Sequence, residues 1–386
     1  MTIIFWLCIA AIFYAYFGYP FILYGLSRFR CRPVHRDEQH LPQLTLIITV
    51  HNEEDRIQDK IENTLTLDYP RDMLEVIFAS DASTDRTESI VRSYPRFKLV
   101  RSQERKGKEF AQKRAVDQAR GDILVFSDVA TRLDSNALRT MAANFADPSV
   151  GCVSSEDRFV DSQGLVSGEG AYVQYEMFLR RLESRVCSVV GLSGSFFAAR
   201  REVCGNWAVD LQSDFNTLLN AVKMGYRGVS DPQTLGYYRN IADEKKEFSR
   251  KVRTVLRGLS VLMRNLSILN VFRYGLFSWE LFSHKLCRWL VPFFLLLALG
   301  SNLFLIPKSP FYVLTFFLQA VLYAAALAYG QVWLHKGSSS KAGLLPSLVR
   351  GMKIPYYFCT VNAAIFMAWM KYVRGERAIF WEPSKR

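Results

Sequence analysis

Apolar positions are distributed along this chain in three ways. Residues 2–25 (TIIFWLCIAAIFYAYFGYPFILYG) run without a charge, and a membrane span needs about 20 such residues. From Leu44 to Asp128, short apolar runs alternate with charged stretches of helical composition. Beyond residue 283 the apolar pattern becomes nearly continuous again. The middle therefore reads as a soluble domain and the two flanks as membrane segments.

Within the middle, LTLIITV (44–50), LEVIFAS (74–80), FKLVR (97–101) and ILVFSD (123–128) have the composition of buried strands. Helices are expected over 53–66, after Thr84, and over about 108–119. Strands alternating with helices predict an α/β domain built on a doubly wound sheet. Ligands of such sheets sit at the carboxyl ends of the strands. Three of those ends carry polar, mostly acidic residues: His51-Asn52-Glu53-Glu54, Asp81 and Asp128. An acid closing an apolar strand is costly to bury unless something pairs with it. Helix capping, for example by Ser83 or Thr84, accounts for one such end taken singly. Three together are suited to holding a divalent cation, Mg²⁺ or Mn²⁺, between the carboxylates and the phosphates of an anionic ligand. Lys106-Gly107-Lys108 adds positive charge where a helix begins, a place that favours anions.

Arg28, Arg30, Arg32 and Arg36 follow the first apolar run, which puts the domain on the cytosolic side. The run has no basic start and no small-residue cleavage site after it, so a retained anchor is expected over a cleaved signal peptide. Two further spans are expected at about 286–306 and 311–334, separated by the Pro307 and Pro310 turn. The stretch 354–370 is shorter and ends in Lys371, Arg374 and Arg377. As a third C-terminal span it would place the basic tail outside, against the charge rule; a re-entrant or interfacial segment is the alternative. Over 247–276, Val252, Val255, Leu256, Leu259, Leu262 and Met263 recur at helical spacing among Arg250, Lys251, Arg253, Arg257 and Arg264. That pattern fits an amphipathic helix on the bilayer surface, or a basic helix packed on the domain. The resulting plan is an anchor over 1–27, a soluble domain over 40–245, an amphipathic region over 246–280, a membrane region over 283–375 and a basic tail over 376–386.

Composition narrows this further. The net charge is +13, from 49 Lys and Arg against 36 Asp and Glu. The basic residues cluster beside apolar segments, which favours the membrane surface over nucleic acid. The sequence holds no zinc-finger or RNA-binding signature. Seven cysteines are scattered without a CxxC pair, the usage of a reducing cytosol rather than of a disulfide framework.

Five stretches carry a resemblance: ITVHNEEDRI (48–57), FASDASTDRT (78–87), KGKEFAQKRAVDQARGDILVFSDVAT (106–131), GEGAYVQYEMFLRRLESRVCSVVGLSGSFFAARREV (168–203) and QSDFNTLLNAVKMGYR (212–227). Together they resemble glycosyltransferase family 2, the inverting enzymes that include cellulose, chitin and hyaluronan synthases. The similarity covers about 40–260, and more narrowly the chain looks like the bacterial, membrane-bound exopolysaccharide-type members, with one anchor before the domain and several spans after it. It implies a Rossmann-like GT-A domain inserted between transmembrane helices, in the inner (cytoplasmic) membrane. The resemblance also implies roles. Glu53 and Asp81 would contact the uracil or ribose of the donor, Lys108 the donor phosphates, and Asp128 the metal. Asp214 stands where the family has its catalytic base. Arg250 and Arg253 stand near a Q-x-x-R-W region that closes over the diphosphate. The partners implied are a nucleotide-sugar, a glycan or lipid-linked acceptor, the bilayer and other polysaccharide-assembly proteins.

The chain departs from that pattern at Ala130, where the second metal-binding acid is usual, at Ser213, before the base, and at Lys113, where Asn is usual. RKVRTV replaces Q-x-x-R-W, which tilts the expectation toward single or short additions over processive synthesis. The remaining alternatives are a processive synthase and a non-catalytic membrane scaffold that binds nucleotide-sugars. For Asp214, the residues also allow a helix-start role, since Ser213-Asp214 opens an apolar helical run. Tyr172, Tyr175, Glu176 and Leu179 share a helical face, expected to belong to the core, and the Gly191–Ser195 turn lets backbone approach a ligand.

Overall fold

A computed structural model describes residues 1–160, 171–239, 244–335 and 346–378. Cα proximity divides the chain into two compact units. The larger, formed by the described residues within 22–242 and 257–281, is built among those residues on one sheet of eight strands. These are β1 (Leu44–Val50), β2 (Leu74–Ser80), β3 (Lys98–Arg101), β4 (Ile123–Asp128), β5 (Arg132–Leu133), β6 (Val150–Val160), β7 (Phe196–Arg200) and β8 (Arg227–Arg239). The spatial order is β3-β2-β1-β4-β7-β6-β8-β5.

The first half of that order is parallel, β2 and β4 flanking β1 and β3 lying outside β2. The second half is mixed. β7 runs antiparallel to both β4 and β6, β8 runs parallel to β6, and β5 antiparallel to β8. A wholly doubly wound sheet is thus half of what forms. The chain reverses through Gly191–Ser195 and returns along β4 as β7.

Side chains alternate between faces with a period of two. Leu44, Leu46, Ile48 and Val50 pack into one core with Ile57, Ile61, Leu138 and Met141 of two covering helices. Ile47 points to the opposite core, with Ala111 and Ala115 of the helix Lys108–Val116 and Leu218 and Ala221 of the helix Ser213–Lys223. Burial on both faces is why β1 reads as an unbroken apolar run.

An internal ion pair holds the segment between the first span and β1. Arg227 Nη2 lies 3.0 Å from Asp147 Oδ2, and the same guanidinium donates to the carbonyls of Arg32 and Pro33 at 2.8 and 3.1 Å. Burial alone would raise the Asp147 carboxyl. The Ser149 hydroxyl and amide, the His35 amide and Arg227 outweigh this and hold it down at about 2, against 3.8 for a free side chain. A depressed carboxylate contributes stability above its unfolded value and loses it as pH falls through its folded value. Asp147→Asn is therefore expected to cost about 2 kcal/mol or more at pH 7. Thermal unfolding in detergent should show a lower midpoint and, between pH 4 and 2, a shallower loss of stability than wild type.

The smaller unit comprises Met1–Phe21, residues 243–256 and Phe282–Arg377. Among the described residues, three helices are long and apolar enough to cross a membrane: Thr2–Phe29, Leu276–Leu303 and Pro310–Ala328. Within this unit Phe5 and Cys8 pack on Ala298 and Leu305, and Ala15 on Cys287 and Val291. Tyr14 and Ser283 share a 2.7 Å hydrogen bond. Pro346–Val373 is one unbroken helix of 28 residues, about 42 Å at 1.5 Å per residue.

The helix Glu244–Arg264 belongs to the smaller unit up to Leu256 and to the larger from Arg257. In that second half Leu259 and Leu262 are buried. Arg257 pairs with Glu109, and Arg264 with Asp210 at 2.7 Å. This half therefore packs on the sheet domain. The basic tail from 379 and residues 161–170 lie outside the described residues.

Candidate active site

The site is assembled where β1, β2 and β4 finish. Asp81, just past β2, is fully buried. Its Oδ1 accepts the amides of Lys106 and Gly107 at 2.9 and 3.1 Å, and its Oδ2 accepts that of Gly107 at 3.0 Å. Gly107 has φ +100°, which a side chain would strain. The carboxylate of one strand end thereby fixes the turn that delivers Lys108 into the first turn of the next helix. Asn52 and Ala82, beside the ends of β1 and β2, also adopt positive φ. Such strain clusters where a fold positions functional groups.

Lys108 joins the remaining elements. Its ammonium donates to Asp128 Oδ1 at 2.6 Å and to the Gly194 carbonyl at 3.1 Å. The Asp128 amide in turn donates to the Ser195 carbonyl at 3.0 Å. Gly194 abuts Asp214: a Cβ at Gly194 would lie 3.5 Å from Asp214 Oδ2. Asp214 is largely buried, in the first turn of Ser213–Lys223, and its Oδ2 accepts from Gln212 Nε2 at 3.0 Å. Asp81, Lys108, Asp128 and Asp214 are thus linked into one cluster. The turn between them is fixed from below by Asp157, whose carboxylate accepts the hydroxyls of Ser193, Ser195 and Ser155 at 2.6, 3.1 and 3.0 Å. Burial pushes the Asp157 carboxyl up, opposed by the Ser193 hydroxyl and the nearby Arg180 charge.

Glu53 is buried beside the cluster, with Arg56 Nη2 at 2.6 Å. Burial raises its carboxyl, Arg56 lowers it, and the Asp128 and Asp85 charges raise it again. His51 donates or accepts at Nδ1 with the Asp81 carbonyl, 2.8 Å away, and is part of the strand-end loop. Of the helical face that includes Tyr172, Leu179 is buried and Tyr172 exposed, so the aromatic end of that face lies outside the core. Arg250 and Arg253 lie in the smaller unit, where Arg250 pairs with Glu247 at 2.7 Å.

Two contributors escape a reading of the sequence. Asp157 sits in a polar run, SSEDR, that gives no apolar strand signal. Lys60 lies in a charged helical stretch whose period predicts a solvated face, yet it is buried. Its ammonium bonds Ser127 Oγ at 2.7 Å and the Thr131 carbonyl at 2.6 Å.

Among the described residues, no three His, Cys, Asp or Glu side chains are grouped to hold a metal. Asp128 offers one carboxylate, with Oδ1 bound to Lys108. A magnesium-like ion needs one or two protein carboxylates when substrate phosphates complete its shell. The donor set fits a cation held jointly with a bound diphosphate, through Asp128.

The family model described as Glycosyl transferase family 2 matches residues 45–207. A poly-beta-1,6-N-acetyl-D-glucosamine synthase of Staphylococcus aureus is 26% identical over 236 residues, 58% of this chain and 57% of that protein. A beta-monoglucosyldiacylglycerol synthase of Synechocystis sp. is 28% identical over 177 residues, 43% of this chain and 37% of that protein. The chain thus spans between about a third and somewhat over half the length of these relatives. Among solved structures, the mannosyltransferase PcManGT from Pyrobaculum calidifontis, in complex with GDP-Man and Mn²⁺, has a TM-score of 0.72 over 97% of this chain and 100% of that chain, at 23% identity. That likeness is one of fold.

Proposed function

Because the chain carries a glycosyl transferase family 2 domain over residues 45–207, we propose that it is a membrane-embedded inverting glycosyltransferase. It moves a sugar from a UDP-linked donor to a glycan or lipid-linked acceptor in cell-surface polysaccharide synthesis. The domain works on the cytosolic face of the cytoplasmic membrane. The observation that carries this reading is the Lys108 ammonium, which bonds both Asp128 and the carbonyl of Gly194, the residue beside which Asp214 lies. This arrangement supports a single donor site served by a phosphate-side group, a cation-side group and a candidate base.

In the reaction, Asp214 accepts the proton of the acceptor hydroxyl as that oxygen attacks the anomeric carbon. The bond from that carbon to the diphosphate oxygen breaks, and the configuration inverts. Lys108 places its charge against the departing diphosphate. Glu53 and Asp81 frame the nucleoside, Asp81 by holding the 106–107 backbone in place. Mg²⁺ or Mn²⁺, held by Asp128 and the donor phosphates, supplies further charge neutralisation when bound.

The test is a donor screen on the detergent-purified protein, following nucleotide release with Mn²⁺ and an acceptor extract. Release from a UDP-sugar is the expected result; silence with every UDP-sugar and GDP-sugar would leave the scaffold reading. A processive version is favoured by the polymer named for the Staphylococcus aureus relative. Product length from purified enzyme separates it from single addition.

A further inference from the structure

We propose that Lys60 is a positioning residue of the donor site, its ammonium fastening both ends of the turn that carries Asp128. The inference rests on the reading of Asp128 as the cation-side residue. It starts from an oddity of burial. Lys60 belongs to the helix Ile57–Leu65, whose Ile57, Ile61 and Thr64 are also buried against the sheet. An apolar side chain there would avoid the desolvation of an ammonium.

What the charge achieves is a clamp. The bonds from Lys60 Nζ reach Ser127 Oγ at 2.7 Å and the Thr131 carbonyl at 2.6 Å, the two residues that bracket Asp128–Ala130. Both partners are neutral oxygens. Three residues on, Asn63 Nδ2 donates to the Leu133 carbonyl at 2.9 Å and Asn63 Oδ1 accepts the Leu133 amide at 2.8 Å. Positions i and i+3 share a helical face, so one helix grips residues 127–133 at both ends. Inside that grip the turn is closed by the Thr131 amide on the Asp128 carbonyl at 3.2 Å.

Ala130 explains the need. A second acid at that position would let a bound cation draw the turn into shape. With alanine there, the turn must be shaped by the protein before any cation arrives. Lys60 is suited to that task because its anchor points are backbone and a strand-end hydroxyl, neither of which a bound donor removes. The same burial pushes its amine down to about 7, partly offset by the Asp128 charge.

The experiment measures Mn²⁺-dependent binding of UDP and of GDP to the full chain in detergent by calorimetry. Wild type, Lys60→Met, Ser127→Ala and Asp128→Asn are compared, each checked for cooperative thermal unfolding. Removing a residue that orients a metal-bearing group typically costs ~10–100-fold in affinity. Lys60→Met is expected to lose that much Mn²⁺-dependent affinity while the KM for acceptor holds. Ser127→Ala, which deletes one anchor, should lose less in the same direction. A folded Lys60→Met with wild-type affinity would overturn the assignment. If Lys60→Met does not fold, unchanged affinity in Ser127→Ala overturns it. An Mn²⁺ enhancement of binding that is absent in wild type, or intact in Asp128→Asn, defeats the donor-site reading itself and the Lys60 role with it, a pattern distinct from the first.

Discussion

Asp214→Asn is expected to reduce sugar transfer by about 10²–10⁴-fold, the range a positioned general base supplies. The change is nearly isosteric, so Gly194 and Gln212 keep their neighbour, and nucleotide binding should be unaffected. Kcat and kcat/KM should fall together, the signature of an interaction made in the transition state. The alternative for Asp214 was a role in starting its helix. That helix opens at Ser213 with its N-cap at Gln212, and no side-chain cap bond is made there. Asp214 therefore sits inside the first turn, with its carboxylate turned to Gln212 Nε2 and Gly194. Single-turnover kinetics with a donor found in the screen provide the measurement. Near-normal turnover would remove Asp214 from the reaction and shift the search for a base to Asp157 or Glu53.

How far the sequence foretold this arrangement differs between the two halves of the sheet. β1, β2 and β4 begin and end where the apolar runs do, because strands covered on both faces have no solvated positions to interrupt the pattern. β6 and β8 include SSEDR and YYR. Their polar positions serve internal partners such as Ser193 and Arg181, so the pattern that marks a buried strand is missing. The site divides in the same way. The strand-end positions of Asp81 and Asp128 were legible because each ends an apolar run. The Asp81 carboxylate also accepts the backbone amides of Lys106 and Gly107 that lead into Lys108, a bond no sequence pattern announces. Lys60 was invisible because a buried ammonium and a solvated one have the same letter; pairing with Ser127 and Thr131 is a fact of tertiary structure. Helix Glu244–Arg264 shows the reverse problem. Its periodicity was clear, but periodicity does not say whether lipid or protein covers the apolar face.

Asp128→Asn should produce a change of sign that few other substitutions could imitate. In wild type the Lys108 ammonium is neutralised at 2.6 Å by Asp128 Oδ1. Without a cation, a diphosphate meets a paired lysine and the negative charge of Asp128. With a cation on Asp128, the repulsion is removed and the phosphates gain a ligand position. Mn²⁺ should therefore strengthen UDP binding to wild type strongly. The asparagine keeps an oxygen for Lys108 but carries no charge. Lys108 is then an uncompensated cation at the phosphate site, and metal-free UDP binding should tighten, since a charge-assisted bond to phosphate is no longer shared with a carboxylate. The Mn²⁺ enhancement should vanish over the same titration, and turnover should fall by ~10-fold or more through loss of leaving-group neutralisation. Calorimetry with and without EDTA reads both effects in one series. A variant that still tightens with Mn²⁺ would show that the cation is held elsewhere. A variant that merely loses affinity with and without metal would mean that Asp128 shapes the turn, leaving the charge on the phosphates to Lys108.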